Sequence, residues 1–113
     1  MFAYTQVIYS GTATATGNSQ SSPVITSYIK EANFYLNITA VSGANPTLDI
    51  DIQVYNSLTG VWHKLAEWTQ KTSTGSDSGY LDYGLGAKIA IEYTIAGTNP
   101  SFTFSVYGEF KNA

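Results

Sequence analysis

The side chains able to do chemistry are few and scattered. The 113-residue chain has one imidazole, His63, and no cysteine. A nucleophilic serine or threonine needs a base within hydrogen-bond reach and a third group to orient that base. His63, between Trp62 and Lys64, has no such company in the sequence and reads as a solvent-facing strand residue. Carboxylate acid–base chemistry needs two acids held together. The nearest candidates, Asp49 and Asp51, alternate with Leu48, Ile50 and Ile52 and so lie on the polar phase of one amphipathic strand. Asp49, Asp51, Asp77 and Asp82 could offer oxygens to calcium, but no EF-hand spacing joins them. The expectation is of no catalytic residue, no metal site, no cofactor and no enzyme.

Composition narrows the partners. Net charge is −3, with five lysines and no arginine, so the guanidinium forks that clamp phosphate or read guanine are missing, which argues against nucleic acid. Charged residues make up 12%, about half the usual share, and serine and threonine supply the polar surface instead. Without cysteine, stability must come from packing or from neighbouring chains. The start, residues 1–6, has no basic residue and leads into no long apolar run; neither a secretory signal nor a membrane span is expected, and the protein is read as made in the cytoplasm.

Nine tyrosines, five phenylalanines and two tryptophans are a heavy aromatic load for this length. Trp62 and Trp68 are expected to fill the core, because indoles dominate small cores; the alternative is that they stack on sugars. Tyr35, Tyr55 and Tyr107 fall on the polar phase of their segments, and outward tyrosines are typical of protein contact surfaces.

The elements that position these residues are read from period-two alternation. Gly43-Ala44-Asn45-Pro46-Thr47 is echoed by Gly97-Thr98-Asn99-Pro100-Ser101, and alternating apolar segments flank each motif. The reading is of two long β-hairpins, 33–41 with 47–55 and 87–95 with 101–110, turned by Gly43, Asn45 and Pro46 and by Gly97, Asn99 and Pro100. Residues 5–16 read as an edge strand with a bulge at Gly11, residues 24–28 as a short strand, and residues 61–69 as an irregular strand despite the helix-like spacing of Trp62, Leu65 and Trp68. Residues 17–23 and 69–79 read as flexible loops, and residues 80–83 as a brief strand. Ala40 to Leu48 spans eight positions and Ile95 to Phe102 seven, so a one-residue bulge is needed if all four face inward. The expected fold is all-β: one domain over residues 1–113, a two-sheet antiparallel β-sandwich, a jelly roll of about eight strands, with residues 1–4 as an N-terminal arm.

The runs Leu36-x-Ile38-Thr39-Ala40-Val41-Ser42-Gly43-x-x-Pro46-Thr47-Leu48-Asp49, Gly60-x-Trp62-x-x-Leu65 with Thr69-Gln70, and residues 93–106 resemble small tailed-phage virion proteins. The resemblance covers residues 33–110. It implies a jelly-roll auxiliary capsid component, a decoration or cement protein assembled as a homotrimer on the outer shell and bound to the major capsid protein. The virion would be its location, and neither membrane nor nucleic acid its partner. A head-fibre or tail accessory protein is the alternative within the resemblance; a carbohydrate-binding β-sandwich is the alternative outside it. The chain's end at Ala113, without a fibre domain, leans toward decoration. Contacts with shell or sister copies are expected at Phe2, Tyr4, Tyr35, Tyr55 and Tyr107, and in the loops at one end of the sandwich.

Overall fold

The computed structural model describes residues 3–112. It contains seven strands and no helix: β1 (Ala3–Ala13), β2 (Gly17–Asn18), β3 (Val24–Ile25), β4 (Glu31–Asn56), β5 (Val61–Glu67), β6 (Gly75–Leu81) and β7 (Lys88–Lys111). Two of these are far longer than an ordinary strand. At about 3.3 Å per residue, the 26 residues of β4 would reach about 86 Å if straight, yet the molecule measures 44 × 30 × 20 Å. β4 and β7 must bend, and they bend together.

The pairing corrects the hairpin reading. Residues 33–41 do not pair with 47–55; β4 runs antiparallel to β7 along nearly its whole length, from Glu31↔Lys111 through Ala44↔Thr98 to Val54↔Ile89. Gly43, Asn45 and Pro46, with Gly97, Asn99 and Pro100, are therefore not hairpin turns but the point where a two-stranded ribbon folds over. Asn45 and Asn99 both take left-handed conformations (φ 51° and 48°), and Gly43 and Gly97 also have positive φ (106° and 122°). Each glycine lies against the other motif: a Cβ on Gly43 would meet the Asn99 carbonyl oxygen at 2.6 Å, and one on Gly97 the Asn45 carbonyl oxygen at 2.9 Å. The echo in the sequence is a local two-fold relation between strands that bend side by side. Alternation alone cannot choose between a turn that returns a strand on itself and one that bends it beside a partner.

Folding the ribbon makes two four-stranded sheets. In the first, β1, the later part of β7, the earlier part of β4 and β6 lie side by side; in the second, β2 and β3, the earlier part of β7, the later part of β4 and β5 do so. With β2 and β3 counted as one interrupted strand, this is the expected two-sheet jelly roll of eight strand segments. Phe34, Leu36, Ile38, Phe102, Phe104, Val106 and Phe110 from the first sheet and Leu48, Ile50, Ile52, Ile89 and Ile91 from the second form one buried core. Ile95, expected among them, is half-buried at its margin. Tyr9 joins the layers, its ring centroid 4.8 Å from Phe104 beside it in the first sheet and 5.0 Å from Tyr93 in the second.

The required bulge is present. Ile38 pairs with Phe104 and Ala40 with Thr103, so Thr39 is the extra residue on β4. It turns Ala40 outward and Val41 inward, opposite Phe102. Val41 to Leu48 then matches Ile95 to Phe102 in spacing, and the two halves agree. Bulges also fall at Ile8 in β1, rather than at Gly11, and at Leu65 in β5. Gly17–Asn18 is a short strand within a stretch read as a loop, and the edge strand Gly75–Leu81 begins five residues earlier than the brief strand read at 80–83. Small residues with poor strand propensity are held there by the ladder of their neighbours.

Candidate functional site

Among the described residues no side chains converge as a reaction centre would. His63 is exposed on β5, opposite Val54. Among the described residues no group of three or more His, Asp or Glu side chains is placed to hold a metal ion. Asp49 accepts a hydrogen bond from Gln70 Nε2 at 2.9 Å, and Asp77 is paired with Lys71 at 2.6 Å. That bond and the Ser78 backbone N–H hold the Asp77 carboxyl below the usual carboxylate range.

What distinguishes the molecule is its surfaces, and the ladder register defines them, because residues directly opposite on antiparallel strands share a face. On the outer face of the first sheet, Val7, Tyr107, Tyr35 and Ser78 form one row. The Tyr35 and Tyr107 rings stack, with centroids 5.3 Å apart and planes 25° apart. Val7 is 58% exposed beside them, and Tyr80, in the next row, is 54% exposed with its hydroxyl donating to Glu31 Oε2 at 2.8 Å. The rows toward the bend are Ser10, Ser105, Asn37 and Ser76, then Thr12 and Thr103. Among the described residues, charge on this face lies at Glu109, at the neighbouring Glu31 and Lys111, whose nitrogen and oxygen are 3.9 Å apart, and at Asp82 beyond Tyr80.

The outer face of the second sheet is the opposite in character. Glu67, Asp51 and Glu92 stand in one row, with Asp49 two residues away on the same strand and phase. Partial burial, together with the charges of Glu67, Glu92 and Asp49, raises the Asp51 carboxyl above its ordinary value, against the pull of Lys64. Tyr55 is on this face, not with Tyr35 and Tyr107. Its ring lies 5.1 Å from that of Trp62, and Lys88 Nζ sits 4.2 Å from the Tyr55 ring centre. The three outward tyrosines thus divide between two faces.

Phe2 lies outside the described residues. Tyr4 belongs to β1 and packs on the core, its ring 5.6 Å from Phe110, so the structure places it within the sheet and not on an arm. Neither tryptophan is fully buried. Trp62 packs against Tyr55 on the outer face, while Trp68, half-buried, lines a cleft of about 220 Å³ between β5 and β6 with Phe34, Ile52, Tyr80 and Leu81. A larger open cleft of about 520 Å³ lies at the end away from the bend, between residues 26–30 and 82–87. Contacts are expected from the sequence in the loops at one end of the sandwich, but with no residue named there: Tyr28 and Tyr83 read as the last residues of short strands, and Leu58 as part of a turn.

The arrangement defines a jelly-roll sandwich with one nearly uncharged outer face and one acidic one. No family model and no curated protein sequence matches the chain. Solved structures do share the fold. The SPBc2 prophage-derived protein YomS superposes with a TM-score of 0.51 at 10% identity, over 96% of this chain and 92% of that one. Eiger TNF from S. frugiperda superposes with a TM-score of 0.50 at 11% identity, over 98% of this chain and 92% of that one.

Proposed function

We propose that the chain is a structural component of a tailed-phage particle, without catalytic activity: a decoration or cement protein that assembles as a homotrimer and binds the major capsid protein on the outside of the shell. The outer face of the first sheet carries this reading. Around a three-fold axis the residues nearest the axis meet their own copies, so charge placed there opposes assembly. The row of Val7, Tyr107 and Tyr35 stands among serines, threonines and asparagine and largely avoids that cost, whereas the row of Glu67, Asp51 and Glu92 does not. Stacked tyrosines supply broad contact area at low conformational cost. The number three and the capsid as partner come from the resemblance of residues 33–110 to small tailed-phage virion proteins, and a prophage-derived protein among the fold's neighbours is consistent with it.

Light scattering on the purified protein, and co-sedimentation with tailed-phage particles assembled without it, test the proposal. The expected results are a mass three times that of the chain, saturable binding to particles, and dissociation to a folded monomer on Tyr107→Asp. A monomer at high concentration that also fails to bind particles would end the reading. Labelling on intact particles separates a head location from the head-fibre and tail alternatives. The carbohydrate alternative draws on Trp68 in its cleft; it requires that a sugar panel quench tryptophan fluorescence and that Trp68→Ala abolish the quenching.

A further inference from the structure

We infer that the end of the sandwich opposite the bend is the foot by which the protein stands on a repetitive protein surface, with the Gly-x-Asn-Pro bend pointing away; this rests on the virion reading above. Among the described residues seven large apolar side chains are exposed. Val7 and Tyr80 belong to the first sheet's outer face. The other five, Ile25, Tyr28, Leu58, Val61 and Tyr83, all lie at this one end: Ile25 pairs with Lys88 and Val61 with Asn56, at the ends of the ladders, while Tyr28, Leu58 and Tyr83 occupy the connections beyond them. Leu58 is 96% exposed, Tyr28 87% and Tyr83 64%.

These connections are tied down. Thr26 N–H donates to the Ala87 carbonyl at 2.9 Å, and its hydroxyl to the Leu85 carbonyl at 2.8 Å, which joins two of them. In the third, Asn56 Oδ1 accepts from the Leu58 N–H at 3.0 Å, and the Asn56 carbonyl accepts from the Gly60 N–H at 2.8 Å. The apolar tips are thus held outward on an ordered frame, which lowers the entropy lost on docking.

Area and charge choose the occupant. At about 150–250 Å² for a whole aromatic side chain, these five exposures amount to roughly 500–600 Å², below the ~800 Å² per partner of a standard stable interface. One such patch is no more than the apolar centre of a single standard interface. Three, carried side by side on a trimer, exceed that size and act at high effective concentration on a surface that repeats. Lys30, Lys88 and Lys111 outnumber Glu31 and Asp82 here, on a chain of net charge −3. A like end therefore offers no complement, and the fitting partner is a protein surface apolar at its centre and neutral to acidic at its rim.

The test compares wild type with the triple variant Tyr28→Ser, Leu58→Ser and Tyr83→Ser, with Leu58→Ser alone, and with Ala44→Lys at the bend. Each is assayed for circular dichroism, mass, and binding to particles assembled without the chain. The triple variant should keep its spectrum and mass and lose at least about a hundredfold in particle affinity. Leu58→Ser, at a nearly fully exposed position, should lose part of it, and Ala44→Lys none. Unchanged binding by the triple variant, a fall in its mass, or loss of binding in Ala44→Lys instead would overturn the assignment while leaving the virion reading standing. Loss by the triple variant of wild-type binding to phosphatidylglycerol vesicles, with its particle binding unchanged, would give the surface to a membrane and overturn it too. Wild-type protein that binds no particle removes the virion reading itself, a different result from any of these.

Discussion

Replacing Gly43 by alanine tests the close packing of the two bent strands directly. Two costs add there. An alanine at φ 106° is strained whatever its surroundings, by on the order of 1–3 kcal/mol. The new Cβ would also stand 2.6 Å from the Asn99 oxygen, 2.9 Å from the Pro100 Cα and 2.9 Å from the Thr98 oxygen, all backbone atoms of the partner strand. Backbone cannot swing aside as a side chain does, so the ribbon must open where it folds. Gly75 supplies the control: its φ is 149°, but nothing lies within 4 Å of a Cβ there. Gly75→Ala should cost only the conformational part, on the order of 1–2 kcal/mol, and Gly43→Ala about 3 kcal/mol or more. Gly97→Ala, with contacts of 2.9–3.1 Å, should fall between. Urea unfolding at unchanged m-value reads the difference, and at about 4 °C per kcal/mol it should also appear as a gap in Tm of several degrees. If Gly43→Ala costs no more than Gly75→Ala, the two motifs are not packed against each other and the account of the echo is wrong.

Phe104 is 2% exposed and touches rings from both sheets, so Phe104→Ala should cost about 3–5 kcal/mol in the same assay; a cost under 1 kcal/mol would contradict a shared core. Asp51 has its carboxyl raised in the folded state, so the folded protein holds that proton more tightly than the unfolded chain and stability rises as pH falls through the raised value. Asp51→Asn should therefore be neutral to stabilising at pH 7, by less than about 1 kcal/mol, with the gain shrinking as pH falls; a loss at pH 7 would show that Lys64 outweighs the neighbouring acids. Burial, with a hydrogen bond to Tyr93, pushes the Tyr9 phenol up to about 12, so the unfolded chain ionises first and stability falls as pH rises from about 10 toward 12, by at most roughly 2–3 kcal/mol. Tyr9→Phe should flatten that alkaline loss, and an unchanged profile would refute the assignment.

Much of the fold was legible because alternation is a direct image of burial. Phe34, Leu36 and Ile38, then Leu48, Ile50 and Ile52, then Phe102, Phe104 and Val106 all point inward, as their spacing requires. Even the need for one bulge followed from counting, although the count could not say that Thr39 would absorb it and put Val41 in the place expected for Ala40. Pairing was not legible. A strand's alternation states which face is buried and is silent about the neighbour on either edge, so Gly43 to Pro46 read as a hairpin turn when it is one half of a fold in a ribbon. The first five residues of β6 escaped for a related reason: Gly75, Ser76, Ser78 and Gly79 have little strand propensity of their own, and the strand extends there because β4 presents a ladder opposite them.

The surfaces needed register more than the core did. Tyr35, Tyr55 and Tyr107 share a polar phase, and phase alone makes them equivalent. The Thr39 bulge and the folded ribbon separate them, placing Tyr35 against Tyr107 on one sheet and Tyr55 under Lys88 on the other. The same folding sends residues 26–30, 57–60 and 82–87 to one end, though the outermost of these segments are more than fifty residues apart in the chain. Exposed apolar residues in separate polar loops look like isolated accidents in a sequence, since single ones are common on any surface. Gathered at one end of a sandwich whose bend end presents Ala44, Asn45, Thr98 and Asn99, they make a polarity along the long axis that the core has no use for. An asymmetry of this kind adds nothing to folding and exposes apolar surface to water, which is why it marks the end where a partner is to be sought.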